Sequence, residues 1–81
     1  MSNPLDTQVG GNHYKRMAIQ PIEFIMANGL GFCAGNVIKY VCRAPSKGNV
    51  EDLRKARHYL DFMIAEAMKR DQAAEQEADR A

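Results

Sequence analysis

Gly35-Asn36-Val37-Ile38-Lys39-Tyr40-Val41-Cys42-Arg43 is the stretch on which the reading of this 81-residue chain turns. At helical spacing Val37, Ile38 and Val41 share one side, while Asn36, Lys39, Tyr40 and Arg43 fall on or beside another, because residues three and four apart lie on one face. One face of such a helix can pack while its neighbour binds. An amide, an ammonium, a phenol and a guanidinium on consecutive turns supply several donors, an aromatic surface and two positive charges, which suits a phosphate-bearing ligand. The same pattern also fits an ordinary amphipathic helix with solvated charges.

Working outward, Ala44-Pro45 ends this second helix. Upstream, Pro21 in a first helical position, Glu23 in the first turn and Gly29 as terminator predict a short first helix over Pro21 to Asn28. Its Ile22, Ile25 and Met26, with Phe24 at an edge, form a stripe expected in the core, and Phe32 in the connection is expected to be buried. Downstream, Ser46-Lys47-Gly48 makes a basic turn and Asn49 is placed to cap a third helix, the longest. Along it Leu53, Ala56, Leu60, Met63, Ile64 and Ala67 recur at spacings of three and four and are expected to face the first two helices or another subunit. Tyr59 and Phe62 widen that stripe beyond what a small monomer needs, which points to self-association. The fold class is therefore all-α, with three helices (short, short, long) and an extended N-terminal arm, assembling as a homo-oligomer.

Three segments follow: a mobile lead-in over residues 1–11, a helical domain over 12–71, and a charged tail over 72–81 expected to fray. Met17 to Gln20 should be extended, since the residue before a proline is steered away from the helical region. His13-Tyr14-Lys15-Arg16, directly after Gly10-Gly11 and Asn12, could fold back over a site; equally, it could be a surface arm whose Tyr14 covers the core.

Composition narrows the function. The net charge is +1, yet from His13 to Gly48 five cations (Lys15, Arg16, Lys39, Arg43, Lys47) face the single acid Glu23, a local balance of +4, against −2 from Asn49 onward. The basic half should face an anion. It is too lightly charged for a duplex-DNA binder. No apolar run approaches a membrane span, and the N-terminus does not read as a signal peptide, so a cytoplasmic protein is expected. Cys33 and Cys42, with only His13 and His58 beside them, indicate neither a disulfide framework nor a zinc site.

Enzyme readings lack their residues. Gly10-Gly11 is not followed by a phosphate-loop Gly-Lys-Ser/Thr, and Lys47-Gly48 reverses the order. The clustered acids with which helical nucleotide pyrophosphohydrolases hold magnesium are missing, since Glu23 is the only acid in the first two helices. Glu51, Asp52, Asp61 and Glu66 are expected to be solvent-exposed, pairing locally as Glu51 with Lys55. A nucleophilic pair of either cysteine with His13 or His58 has no local motif behind it. No catalytic residue, metal or cofactor is assigned.

Five blocks in order carry a resemblance: His13-Tyr14-Lys15; Pro21-Ile22-Glu23-Phe24-Ile25 with Asn28 and Leu30; Gly35 to Val41 with Arg43; Lys47-Gly48; and Asp52-Leu53 with Lys55-Ala56 and Tyr59-Leu60. Together, over about His13 to Leu60, they resemble a family of small bacteriophage proteins long carried as a domain of unknown function and often labelled nucleotide kinases. The resemblance extends to phage anti-defence sponges, oligomeric helical proteins that sequester the cyclic nucleotide signals of host immunity without cleaving them. It implies a non-enzymatic protein of the host cytoplasm with a cyclic nucleotide as ligand and itself as partner, a tetramer by preference. On matching positions, Lys39 and Arg43 would hold phosphates with Lys15 and Lys47 as further cations. Tyr14 and Tyr40 would stack on bases, and His13 and Asn36 would supply hydrogen bonds. The alternatives are a small nucleotide kinase or hydrolase, or an adaptor for a host protein or nucleic acid.

Overall fold

The computed structural model describes residues 3–6, 14–45 and 49–80. A single 3-10 turn at Pro4–Asp6 precedes three helices, α1 (Pro21–Ala27), α2 (Phe32–Arg43) and α3 (Asn49–Arg80), and the described residues contain no strand. The all-α, three-helix expectation holds.

The start and stop signals act as the chemistry requires. Gln20 is extended before Pro21, and its N–H donates to Glu23 Oε1 at 3.2 Å, satisfying one donor at the α1 entrance. Gly29 closes α1 with φ of +61°, where a side chain would be strained. Asn49 opens α3 with φ of 39°, a region that asparagine tolerates, and its N–H returns to the Ala44 carbonyl at 3.2 Å.

Small residues set the approach of the helices. Gly35 is buried where α1 crosses α2, and a Cβ there would lie 3.2 Å from Ile25 Cγ2. Ala44 and Ala56 are the buried apolar side chains between α2 and α3. No large side chain is fully buried among the described residues, a thin core for a chain of this length. The α3 helix runs about 48 Å at 1.5 Å per residue, more than twice the length of α2, so its C-terminal half projects past the rest. The longest dimension is accordingly 56 Å, against 32 and 18 Å across. No helix among the described residues is long and apolar enough to cross a membrane.

Several expectations are corrected. Phe32 is 75% exposed rather than buried: as the first residue of α2 it lies sideways on Tyr59, edge to face with centroids 5.7 Å apart. Of the α1 stripe only Ile25 is half-buried, while Ile22, Phe24 and Met26 are exposed, because two turns of helix present one edge to α2 and, among the described residues, the Pro4–Asp6 turn flanks Ile22 and Met26 only partly. Asp52 is not solvent-exposed but buried at 2%, held by Arg43. Met17 to Ile19 form a bend after a turn in which the Met17 N–H donates to the Tyr14 carbonyl at 3.1 Å, so only Gln20 of that stretch is extended. The third helix runs through to Arg80, across the segment expected to fray, where Ala, Glu, Gln and Arg are strong helix formers. On α3, Ala56 faces α2, whereas Leu53, Leu60, Met63 and Ile64 remain exposed. The Gly10-Gly11 hinge, His13, and the Ser46-Lys47-Gly48 turn lie outside the described residues.

Candidate functional site

Two grooves flank α2. The first, about 440 Å³, lies between α1 and α2 and is lined by Tyr14, Ile25, Phe32, Asn36 and Lys39 among others. Its walls are mainly apolar. The second, about 380 Å³, lies between α2 and α3 and is lined by Tyr40, Glu51, Arg54, Lys55, His58 and Tyr59. Both volumes fall in the range of small-ligand sites, roughly 300–1,000 Å³.

Lys39 and Tyr40, adjacent on α2, connect the two. Lys39 lines the first groove, yet its Nζ stands over the Tyr40 ring, 5.1 Å from the centroid. The Lys55 Nζ, from α3, is 5.4 Å from the same centroid. Tyr40 is in turn nearly parallel to Tyr59, at 10° with centroids 6.1 Å apart. Phe32 extends the aromatic row at one end, and His58 meets Phe62 edge to face at 4.9 Å alongside. The local reason is helical period: Lys55 and Tyr59 are four apart, as are His58 and Phe62, so α3 presents a cation and a ring on each pass. The result is an aromatic tile with two ammonium groups against one ring, each attracted by its quadrupole.

The other expected site residues are more committed to the scaffold. The Tyr14 hydroxyl donates to the Lys39 carbonyl at 3.3 Å, tying the Tyr14–Met17 turn to α2. Burial pushes its pKa above the ordinary phenol value, and the nearby Arg43 charge partly opposes that. Asn36 Nδ2 donates to the Phe32 carbonyl at 2.8 Å, one turn back in its own helix, while the side chain still lines the first groove. Arg43, at the end of α2, places Nε 3.2 Å from Asp52 Oδ2 in the first turn of α3. Each partner stands where the helix dipole favours its sign. Lys15 is exposed on the turn after Tyr14. His13 and Lys47 lie outside the described residues.

The structure thus brings Tyr14, Asn36 and Lys39 to the first groove, sets Tyr40 in the second, and turns Arg43 toward Asp52. Reasoning from sequence missed Lys55, Tyr59, Arg54 and His58. Their i,i+4 spacing was a visible signal, but the register of α3 against Tyr40 was not. Among the described residues no three His, Cys, Asp or Glu side chains converge, and Cys33 and Cys42 are free thiols, half-buried.

A family model described as a protein of unknown function, DUF3310, matches residues 8–61. That span covers α1, α2 and the part of α3 that carries Lys55 and Tyr59. No curated protein and no solved structure matches the chain.

Proposed function

The chain belongs to the DUF3310 family, and we propose that it is a non-catalytic nucleotide-binding protein that withdraws a cyclic nucleotide signal from solution. The observation that carries this reading is the pair of lysines at Tyr40. Two ammonium groups stand within 5.4 Å of one ring centroid, and that local concentration of positive charge favours an anion beside the ring. A phosphate is such an anion, and Lys, though it binds as a point charge, is well suited to it. The Tyr40 and Tyr59 faces beside the lysines offer a surface on which a base can stack, worth about 1–3 kcal/mol per base. Arg54 adds a further cation in the same groove, and Glu51 an acceptor for an exocyclic amino group.

In this mechanism Lys39 and Lys55 leave the Tyr40 ring for the phosphates, and the base takes their place against it. Asn36 acts from the first groove, Lys15 from the exposed turn after Tyr14, and Arg43 serves mainly to hold α2 to α3. Nothing in the reading needs a general base or a metal, because the ligand is held and released unchanged. The resemblance to phage anti-defence sponges supplies the biological setting: a phage-encoded protein in the host cytoplasm, acting as a homo-oligomer, a tetramer by preference, against cyclic-nucleotide defence signalling.

The test is uptake and recovery. Purified protein is mixed with cyclic dinucleotides and cyclic ADP-ribose isomers, the depleted solution is assayed, and the protein is then denatured by heat. The expected outcome is depletion of one nucleotide and its return intact, with uptake lost in the Lys39→Ala/Lys55→Ala double variant. Return of a converted product would replace this reading by an enzymatic one, and no depletion would leave the groove without a nucleotide.

A further inference from the structure

The face of α3 turned away from the aromatic tile carries a pattern that the nucleotide reading does not use. Leu53, Leu60, Ile64 and Met68 lie on one stripe, each 41–56% exposed. At 100° per residue this stripe lies roughly a third of a turn from Asp52, Ala56 and Tyr59, which face α2, and about opposite Lys55 and Phe62. Arg57 interrupts it seven residues before Ile64, and Asp71 bounds it seven residues after, with Glu75 one turn further on the same side. Among the described residues neither Arg57 nor Asp71 has an ion-pair partner within the chain, and 14 residues of helix separate them by about 21 Å.

We infer that α3 pairs with α3 of a second copy, antiparallel, about a two-fold axis at Ile64. In that register Ile64 meets its own symmetry mate and Leu60 meets Met68 of the second copy. Arg57 then faces Asp71, with Glu75 of the second copy within reach of the same guanidinium. A two-fold interface repeats each contact, so the Leu60–Met68 segment is flanked at both ends by opposite charges, with Leu53 outside it at the edge. Parallel pairing would set Arg57 against Arg57 and Asp71 against Asp71, which like-charge repulsion disfavours. The occupant is therefore a second copy and the direction is fixed by charge. The interface leaves the tile and both grooves open, so it stands or falls independently of the nucleotide reading.

The experiment is sedimentation equilibrium on the full chain with Arg57→Asp, Asp71→Arg and the two combined, with far-UV circular dichroism confirming that each remains helical. Reversing either charge turns two attractions into two repulsions and is expected to raise the dimer dissociation constant about tenfold or more at low salt. Combining them restores complementarity and should return the constant to within about threefold of the original. Ile64→Asp, at the axis, should leave a monomer. A wild-type chain that is monomeric at 100 µM (about 1 mg/ml), single reversals without effect, or a double variant no better than the singles would each overturn the proposal.

Discussion

Replacing Arg43 by alanine tests whether its guanidinium holds the fold or the ligand. Asp52 is 2% exposed and its Oδ2 lies 3.2 Å from Arg43 Nε, so removing the cation leaves a carboxylate with little water to replace it. Breaking a buried pair costs about 3–5 kcal/mol. Arg43 keeps about a third of its side chain in solvent, so water reaches the pair from that side and the lower end, about 3 kcal/mol, is expected. For a domain of this size total stability is about 4–12 kcal/mol, and each kcal/mol shifts Tm by about 4–8 °C. Arg43→Ala should therefore melt at least about 12 °C below the parent, read by circular dichroism at fixed protomer concentration. Arg43→Met/Asp52→Leu, which removes both charges, should recover much of the loss. A drop of under about 4 °C with nucleotide uptake abolished would refute this and return Arg43 to the ligand.

Other substitutions follow from single contacts. Gly35→Val should destabilise by about 1–3 kcal/mol in urea unfolding, because even a Cβ at this position comes within 3.2 Å of Ile25 Cγ2, so the larger side chain must push Ile25 aside. Gly29→Ala should cost about 1 kcal/mol for its left-handed backbone, with no effect on either groove. Tyr14 has its pKa raised above 10.0 by burial, so the folded chain keeps its phenolic proton at a pH where the unfolded chain loses it. That contribution is complete below pH 10 and is lost as pH rises through the folded value. Tyr14→Phe should flatten the alkaline loss of stability, seen in melts between pH 9 and 11, while losing about 0.5–1 kcal/mol at neutral pH with the bond to Lys39.

The helices were legible because their signals are local. Proline at a first helical position, an acid in the first turn, a glycine terminator and a proline stop each act within a few residues, and α1 and α2 end where those signals stand. The contacts that build the site were not legible, because they depend on how α2 and α3 register. A carboxylate at Asp52 looks like ordinary dipole compensation until the packing of α3 on α2 sets it against Arg43, nine residues back. The end of one antiparallel helix and the start of the next are neighbours, so an Arg and an Asp flanking a Pro- and Gly-containing turn was the available clue. Phe32 was misplaced for a related reason: apolar residues near a connection are usually buried, but here the ring meets Tyr59 edge to face and stays 75% exposed.

The thin core ties these readings to concentration. Helix approach in this chain is set by Gly35, Ala44 and Ala56, residues that let backbones come close but bury little area. The larger apolar side chains point outward, from Ile22 and Met26 on α1 to Leu60, Ile64 and Met68 on α3. Much of the hydrophobic stabilisation available to the sequence is thus realised only when those faces are covered. If copies of the chain supply the cover, folding and assembly are one equilibrium and Tm depends on protomer concentration. For a dimer, each tenfold increase adds about 1.4 kcal/mol per pair of chains, or about 0.7 kcal/mol per chain. At about 4–8 °C per kcal/mol, Tm should rise by roughly 3–6 °C for each tenfold, measured from 1 to 100 µM. Ile64→Asp should lower Tm and remove the concentration dependence. A parent chain whose Tm stays constant across that range would mean that the exposed faces contribute nothing to its stability, and that the small-residue contacts of α2 with α1 and α3 suffice.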